Sequence, residues 1–160
     1  MRPASPHPAH PGVIIFKPAA AADLEALADL RAEAMRASLE RVGRYDPERA
    51  RQRLRGSWAP AHTWIMEIDG RRAGFYTLRP IEDGLKLDHL YILPAFQDLG
   101  LGTRVMRRIA AQADAAGAAV HLGALRDSPS NAFYQRQGYV KTGEDEWDIY
   151  YVRPAHRPPA

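Results

Sequence analysis

The chain has 160 residues, 46% hydrophobic and 26% charged, which suits one compact domain with core enough to need no covalent or metal staple. It contains no cysteine, which excludes a disulfide framework, cysteine-ligated zinc and a cysteine nucleophile. Its net charge of +3 is scattered rather than gathered with aromatics on one face, so a nucleic-acid partner is not expected.

No stretch reaches the roughly 18 apolar residues of a membrane span. The opening Met1-Arg2-Pro3-Ala4-Ser5-Pro6 has no apolar stretch of the kind that directs export. A cytoplasmic protein with no membrane partner is the expectation. Residues 1–12 and 154–160 are proline-rich and read as flexible tails around a domain at 13–153.

Taken in chain order, Val13 to Phe16 is a short apolar run halted by Pro18, a strand. Leu24, Leu27, Leu30, Ala34, Met35 and Leu39 recur at helical spacing up to Gly43. A charged second helix follows from Pro47 to Leu54. The arginine run from Arg44 to Arg55, which also holds Asp46 and Glu48, reads as a solvated helix face. His62 to Ile68 and Arg72 to Leu78 flank Asp69-Gly70, a hairpin signal. Leu85 to Leu93 is a longer strand closed by Pro94. Val105, Met106, Ile109, Ala110 and Ala113 form one helical stripe ending near Gly117. Val120 to Ala124 alternates as a strand, Ser130 to Gln137 is a short helix stopped by Gly138, and Tyr139 to Lys141 pairs with Trp147 to Val152. The order β-α-α-β-β-β-α-β-α-β-β implies an α/β (α+β) fold, a mixed sheet with helices on both faces.

The chemistry concentrates between Leu87 and Thr103. Here a strand runs through a tight turn, Gly100-Leu101-Gly102, into a helix N-terminus. Unpaired N–H groups and the helix dipole make such a place an anion site, and glycine lets a phosphate come close to the backbone. A dinucleotide fingerprint would need glycine where Val105 stands, and a nucleoside-triphosphate loop would need lysine after Gly102, where Thr103 stands. The plain alternative is an ordinary helix-entry turn.

Leu90-Tyr91-Ile92-Leu93-Pro94 followed by Gln97-Asp98-Leu99-Gly100-Leu101-Gly102, and later Asn131-Ala132-Phe133-Tyr134 running into Gly138-Tyr139, resembles the GNAT N-acetyltransferase superfamily. The resemblance covers about Val13 to Val152 and includes the order of elements. It implies a mainly antiparallel central sheet with helices on both faces, and acetyl-CoA as cosubstrate with no metal. It also implies that N–H groups from Leu99 to Thr103 hold the pyrophosphate, while the backbone of Leu90, Tyr91 and Ile92 pairs with the pantetheine amides. Gln97, Asp98, Asn131, Tyr134 and Arg136 belong to the implied cofactor site. Asp98 and Leu99 depart from the glycine or basic residues that members often carry there. Arg104, Arg107, Arg108 and Arg136 are either phosphate partners or solvated helix arginines.

The reaction implied is direct attack of a neutral amine on the thioester, in a ternary complex. Tyr134 is placed as general acid for the leaving thiolate. Many relatives use a glutamate on the central strand as base, but this strand offers Asp88 and His89, which strict alternation sends to opposite faces. His89 titrates near 6.5 when unperturbed, and a structural histidine or a water chain are the alternatives. His121 is expected to face the interior or the interhelical space.

The acceptor site is expected between the first two helices and the last hairpin, framed by Met35, Ser38, Glu40, Arg44, Tyr45, Asp46 and Trp58 and, opposite, by Glu144, Asp145, Glu146 and Trp147. The acids among them suggest a cationic small-molecule or peptide amine. A competing reading is an acyl-CoA-binding regulatory module with little transfer. Folds of this kind often pair terminal strands into homodimers.

Overall fold

The computed structural model describes residues 13–156; the segments 1–12 and 157–160, expected as tails, lie outside the described residues. The elements are β1 (Ile14–Pro18), α1 (Leu24–Arg41), α2 (Pro47–Gly56), β2 (Thr63–Ile68), β3 (Arg71–Ile81), β4 (Gly84–Ile92), α3 (Leu101–Ala116), β5 (Val120–Leu125), α4 (Ser130–Arg136), β6 (Val140–Glu144) and β7 (Asp148–Arg153). The order is the one expected, and the strands form one sheet, β1-β2-β3-β4-β5-β7-β6, antiparallel except where β4 meets β5.

Local chemistry explains most boundaries. The β2–β3 turn puts Asp69 and Gly70 both at positive φ, as a two-residue hairpin with right-handed strands requires. Asp46 caps α2 by accepting from the N–H groups of Glu48 and Arg49, with Pro47 at the first helical position. Two strands run further than expected. β1 includes Pro18 because it is an edge strand. β3 continues through Pro80 because β2 has already ended opposite Thr77, so no neighbour needs the missing N–H.

Each sheet face has its own core. On one face α3 lays Val105, Met106, Ile109 and Ala113 against Met66, Tyr76, Leu78 and Leu87. On the other, Leu27 and Leu30 of α1 and Leu54 of α2 cover Ile65 and Phe75. Each such fully buried side chain contributes roughly 1.5–3 kcal/mol. Buried Arg31 ties this second layer together, donating to the carbonyl of Ala50 in α2 at 2.8 Å and to the hydroxyl of Tyr91 in β4 at 2.9 Å.

Candidate active site

The sheet opens along one line. β4 and β5 pair only at Leu85–Val120 and Lys86–His121, whereas β4 pairs with β3 along its whole length. Beyond Lys86 the two strands part. The N–H of Leu93 reaches back to Ala73 in β3. By alternation the main-chain groups of Leu90 and Ile92 then face away from β3, into the gap. The gap is the floor of a cleft of about 1030 Å³ between α1, α2, α3 and α4, at the upper end for a small-molecule site.

At its mouth stands the N-terminus of α3. Gly100 is the N-cap at φ 76°, a left-handed conformation that side chains resist. The N–H groups of Leu101, Gly102 and Thr103, in the first turn, have no partner within the helix, and no acidic residue lies in that turn. A Cβ on Gly102 would stand 3.2 Å from the Phe133 ring and 3.7 Å from Ile92, so glycine there keeps the wall from being filled. The Gln97 side chain donates to the carbonyl of Ile92 at 2.9 Å and closes the turn between strand and helix. Asp98, also at positive φ, is exposed. Arg136 lines the cleft. Arg108 does not serve a phosphate: it donates to Tyr76 at 3.0 Å and lies over the rings of Phe16 and Trp64.

Tyr134 reaches the cleft from α4, packed among Phe133, Tyr139 and Tyr151. Burial, with smaller contributions from Tyr91 and Tyr139, pushes its hydroxyl well above the ordinary tyrosine range, so it stays protonated. Asn131 is committed inward. Its NH2 donates to the carbonyls of Leu125 at 2.9 Å and Ser128 at 3.0 Å, and its oxygen accepts from Tyr151 at 2.8 Å. It therefore positions α4 and Tyr134.

Asp88 and His89 do not face opposite ways. Thr77 pairs with His89 and Leu78 with Leu87, which leaves Asp88 as the extra residue of a β-bulge. The bulge resets the alternation: Leu87 joins the α3 core, while Asp88 and His89 both line the cleft. Asp88 is ion-paired with Arg79. His89 is 5% exposed, and burial, aided by the positive charge of Arg31, pulls its pKa down to about 4. Its hydrogen bonds have a determined direction. Arg31 can only donate to Tyr91, and the Arg53 carbonyl can only accept from Ser57, at 3.0 Å. Tyr91 therefore donates to Nδ1 at 3.1 Å, and Nε2 carries the proton it gives to Ser57 at 2.8 Å.

On the acceptor side, Met35, Ser38, Glu40, Arg44, Asp46 and Trp147 line the cleft. Tyr45 instead lies under Arg36, and Trp58 packs with the α1–α2 core. An acidic mouth is not formed. Glu40 pairs with Arg36, Asp46 caps α2, Glu144 pairs with Lys141 and Arg126, and Asp145 caps the β6–β7 turn. The arginine run, read as a solvated face, turns one side to the cleft: Arg49 and Arg53. Those two and Asp148 line the cleft, and Ser57 the pocket beside it, none of them singled out in the sequence. The four-residue spacing of Arg49 and Arg53 was the available signal. His121 lines an adjoining pocket with Ser57 and Asp148, its Nε2 buried without a partner. Among the described residues no group of three or more His, Asp or Glu is placed to hold a metal ion, and no helix is long and apolar enough to cross a membrane.

The family model for the acetyltransferase (GNAT) domain matches residues 59–141. Among solved structures, the PaiA N-acetyltransferase of Thermoplasma acidophilum, in complex with coenzyme A, aligns with a TM-score of 0.74 at 18% identity, over 89% of this chain and 99% of that one. An acetyltransferase of Thermus thermophilus gives 0.71 at 20% identity, over 91% and 99%. The ribosomal-protein-S18-alanine N-acetyltransferase of Escherichia coli gives 0.70 at 14% identity, over 92% and 97%. At these identities the likeness speaks for the fold. No curated protein sequence matches the chain significantly. The family model spans more than half of the chain and takes in the glycine turn, the parted strands and α4, and on that ground the chain belongs to the GNAT family of acetyl-CoA-dependent N-acetyltransferases.

Proposed function

We propose that this protein transfers the acetyl group of acetyl-CoA to a primary amine of a small molecule or peptide, with both substrates bound together. One observation carries the reading. The parted edge of β4, the open N-terminus of α3 and the hydroxyl-bearing side chain of Tyr134 all border a single cleft. The residues suit acetyl-CoA: the N–H groups of Leu101, Gly102 and Thr103 take a pyrophosphate, and the main chain of Leu90 and Ile92 takes the amides of an extended arm.

Bound there, acetyl-CoA supplies a thioester. Tyr134 holds its proton through the neutral range and gives it to the departing sulfur, a contribution typically of about 10²–10⁴-fold. Asn131 sets the angle of α4 and hence the reach of that hydroxyl. The proton that the amine must lose leaves along the wall of Asp88 and His89. His89 is neutral there, and its Nδ1 takes a proton only once the Tyr91 hydroxyl has turned away. The test is release of free thiol from acetyl-CoA across a panel of amines. Release that depends on an amine supports transfer. Protection against unfolding by CoA, with no thiol released for any amine, would leave an acyl-CoA-binding module instead.

A further inference from the structure

The arginines of α2 fall into two sets. Arg51 and Arg55 turn toward α1 and are neutralised: Arg51 by Asp29 at 2.8 Å, Arg55 by Glu25 and Glu48, each at 2.6 Å. Arg49 and Arg53 sit one helical turn apart on the cleft side. Neither has a carboxylate within ion-pairing distance among the described residues. Arg44, on the loop between α1 and α2, joins them: it rests on the Trp147 ring at 4.1 Å, lines the same cleft and likewise has no carboxylate partner there. Helix arginines that are merely solvated would not divide this way, with Asp29 and Glu25 of α1 and Glu48 of α2 all spent on the outer pair.

One carboxylate of this wall is also uncommitted. Asp148, the first residue of β7, is half-buried where the cleft meets the adjoining pocket, and it makes no ion pair among the described residues. Burial and then Asp145 raise its carboxyl, while Arg53 and Arg44 pull it back, which places both guanidiniums within electrostatic reach of it. Of the other acids lining the cleft, Asp88 is engaged with Arg79, Asp46 caps α2 and Glu40 pairs with Arg36, while Glu33 on α1 and Asp98 before α3 make no ion pair among the described residues.

We infer that the acceptor is a zwitterionic amine, whose anionic group, a carboxylate or a phosphate, is seated by Arg44, Arg49 and Arg53 while its amino end is held by Asp148. Guanidinium forks match such oxyanions in geometry as well as charge. The inference rests on the acetyl-transfer reading and names its substrate class.

The test compares kcat/KM for acceptors matched in shape: β-alanine, β-alaninamide, phosphoethanolamine, ethanolamine and putrescine, each with saturating acetyl-CoA. β-Alanine should exceed its amide, and phosphoethanolamine should exceed ethanolamine, by tenfold or more, chiefly through KM; the larger of the two gains identifies the anion. Arg49→Gln and Arg53→Gln should each bring the acid-to-amide ratio toward one. Asp148→Asn should raise KM for acid and amide alike, since the amine is common to both. Transfer to β-alaninamide, ethanolamine or putrescine as fast as to the acceptors that carry an anionic group, or an unchanged ratio in both arginine variants, would overturn the inference and leave acetyl transfer standing. No thiol release with any acceptor would remove acetyl transfer itself, and this inference with it.

Discussion

Tyr134 and His89 are both buried polar side chains, and burial leaves each of them neutral by moving its pKa in the opposite direction. For Tyr134 the effect keeps a proton available to the leaving sulfur. Tyr134→Phe should therefore lower kcat by about tenfold or more with CoA affinity nearly intact. Parallel kinetics and calorimetric CoA titration separate the two, and a change confined to KM would make Tyr134 a packing residue. For His89 the effect ties stability to pH. The imidazole titrates near 6.5 in the unfolded chain and at about 4 in the fold, so between those values only the unfolded state takes the extra proton. Its contribution is complete above pH 6.5 and is lost as the pH falls toward 4, by up to about 3 kcal/mol. Carboxylates titrate toward the acid end of the same window, so the comparison is with His89→Gln. Urea unfolding at pH 7.5 and 4.5 should show the wild type losing more than the variant, and equal losses would contradict the buried neutral imidazole.

The N-terminus of α3 brings together the features that an anion needs, and its two glycines act differently. Gly100 has nothing within 4 Å of where a Cβ would stand but has positive φ, whereas Gly102 is helical and close to Phe133. Gly100→Ala should cost stability through strain alone, about 1 kcal/mol. Gly102→Val should push against Phe133 and Ile92 and fill the wall of the cleft. A ligand that binds only the native state stabilises it by about 2.7 kcal/mol at a hundredfold excess over Kd. Thermal unfolding with and without CoA should show that gain in Gly100→Ala and not in Gly102→Val. A full shift in the valine variant would move the pyrophosphate elsewhere. Elements of this kind were legible in the sequence because their determinants are local. Asp69-Gly70, Gly117 and Gly138 mark their turns by backbone conformation alone, and each stands at positive φ. The extensions of β1 and β3 through prolines were not legible, because they depend on which edge lacks a neighbour.

Across the whole molecule, the candidate site follows from register and partnership, which a single chain read in order conceals. The motif residues were visible, and the structure brings Leu90, Tyr91, Ile92, Gln97, Asp98, Gly100, Leu101, Gly102 and Tyr134 to one cleft, with Leu99 outside its lining. The bulge at Asp88 was not visible, since it depends on how β3 and β4 pair, and it reversed the expected facing of Asp88 and His89. Nor could the sequence say that Glu40, Asp46 and Glu144 spend their charge on neighbours, or that Asp148 does not. The parting of β4 from β5 is the largest feature of this class, and it yields a residue-resolved prediction. Past Lys86, β4 has a partner only in β3. The N–H of Tyr91 belongs to that ladder, while those of Leu90 and Ile92 point into the cleft. In the protein alone these two amides should exchange with deuterium fast, between slowly exchanging neighbours, because no strand covers them. Saturating CoA should slow Leu90 and Ile92 by more than tenfold as its arm supplies the missing acceptors, and Tyr91 should change far less. Amide exchange followed by NMR resolves the alternation. Equal slowing of Leu90, Tyr91 and Ile92 would indicate general stabilisation, and no slowing would place the arm of the cosubstrate away from this edge.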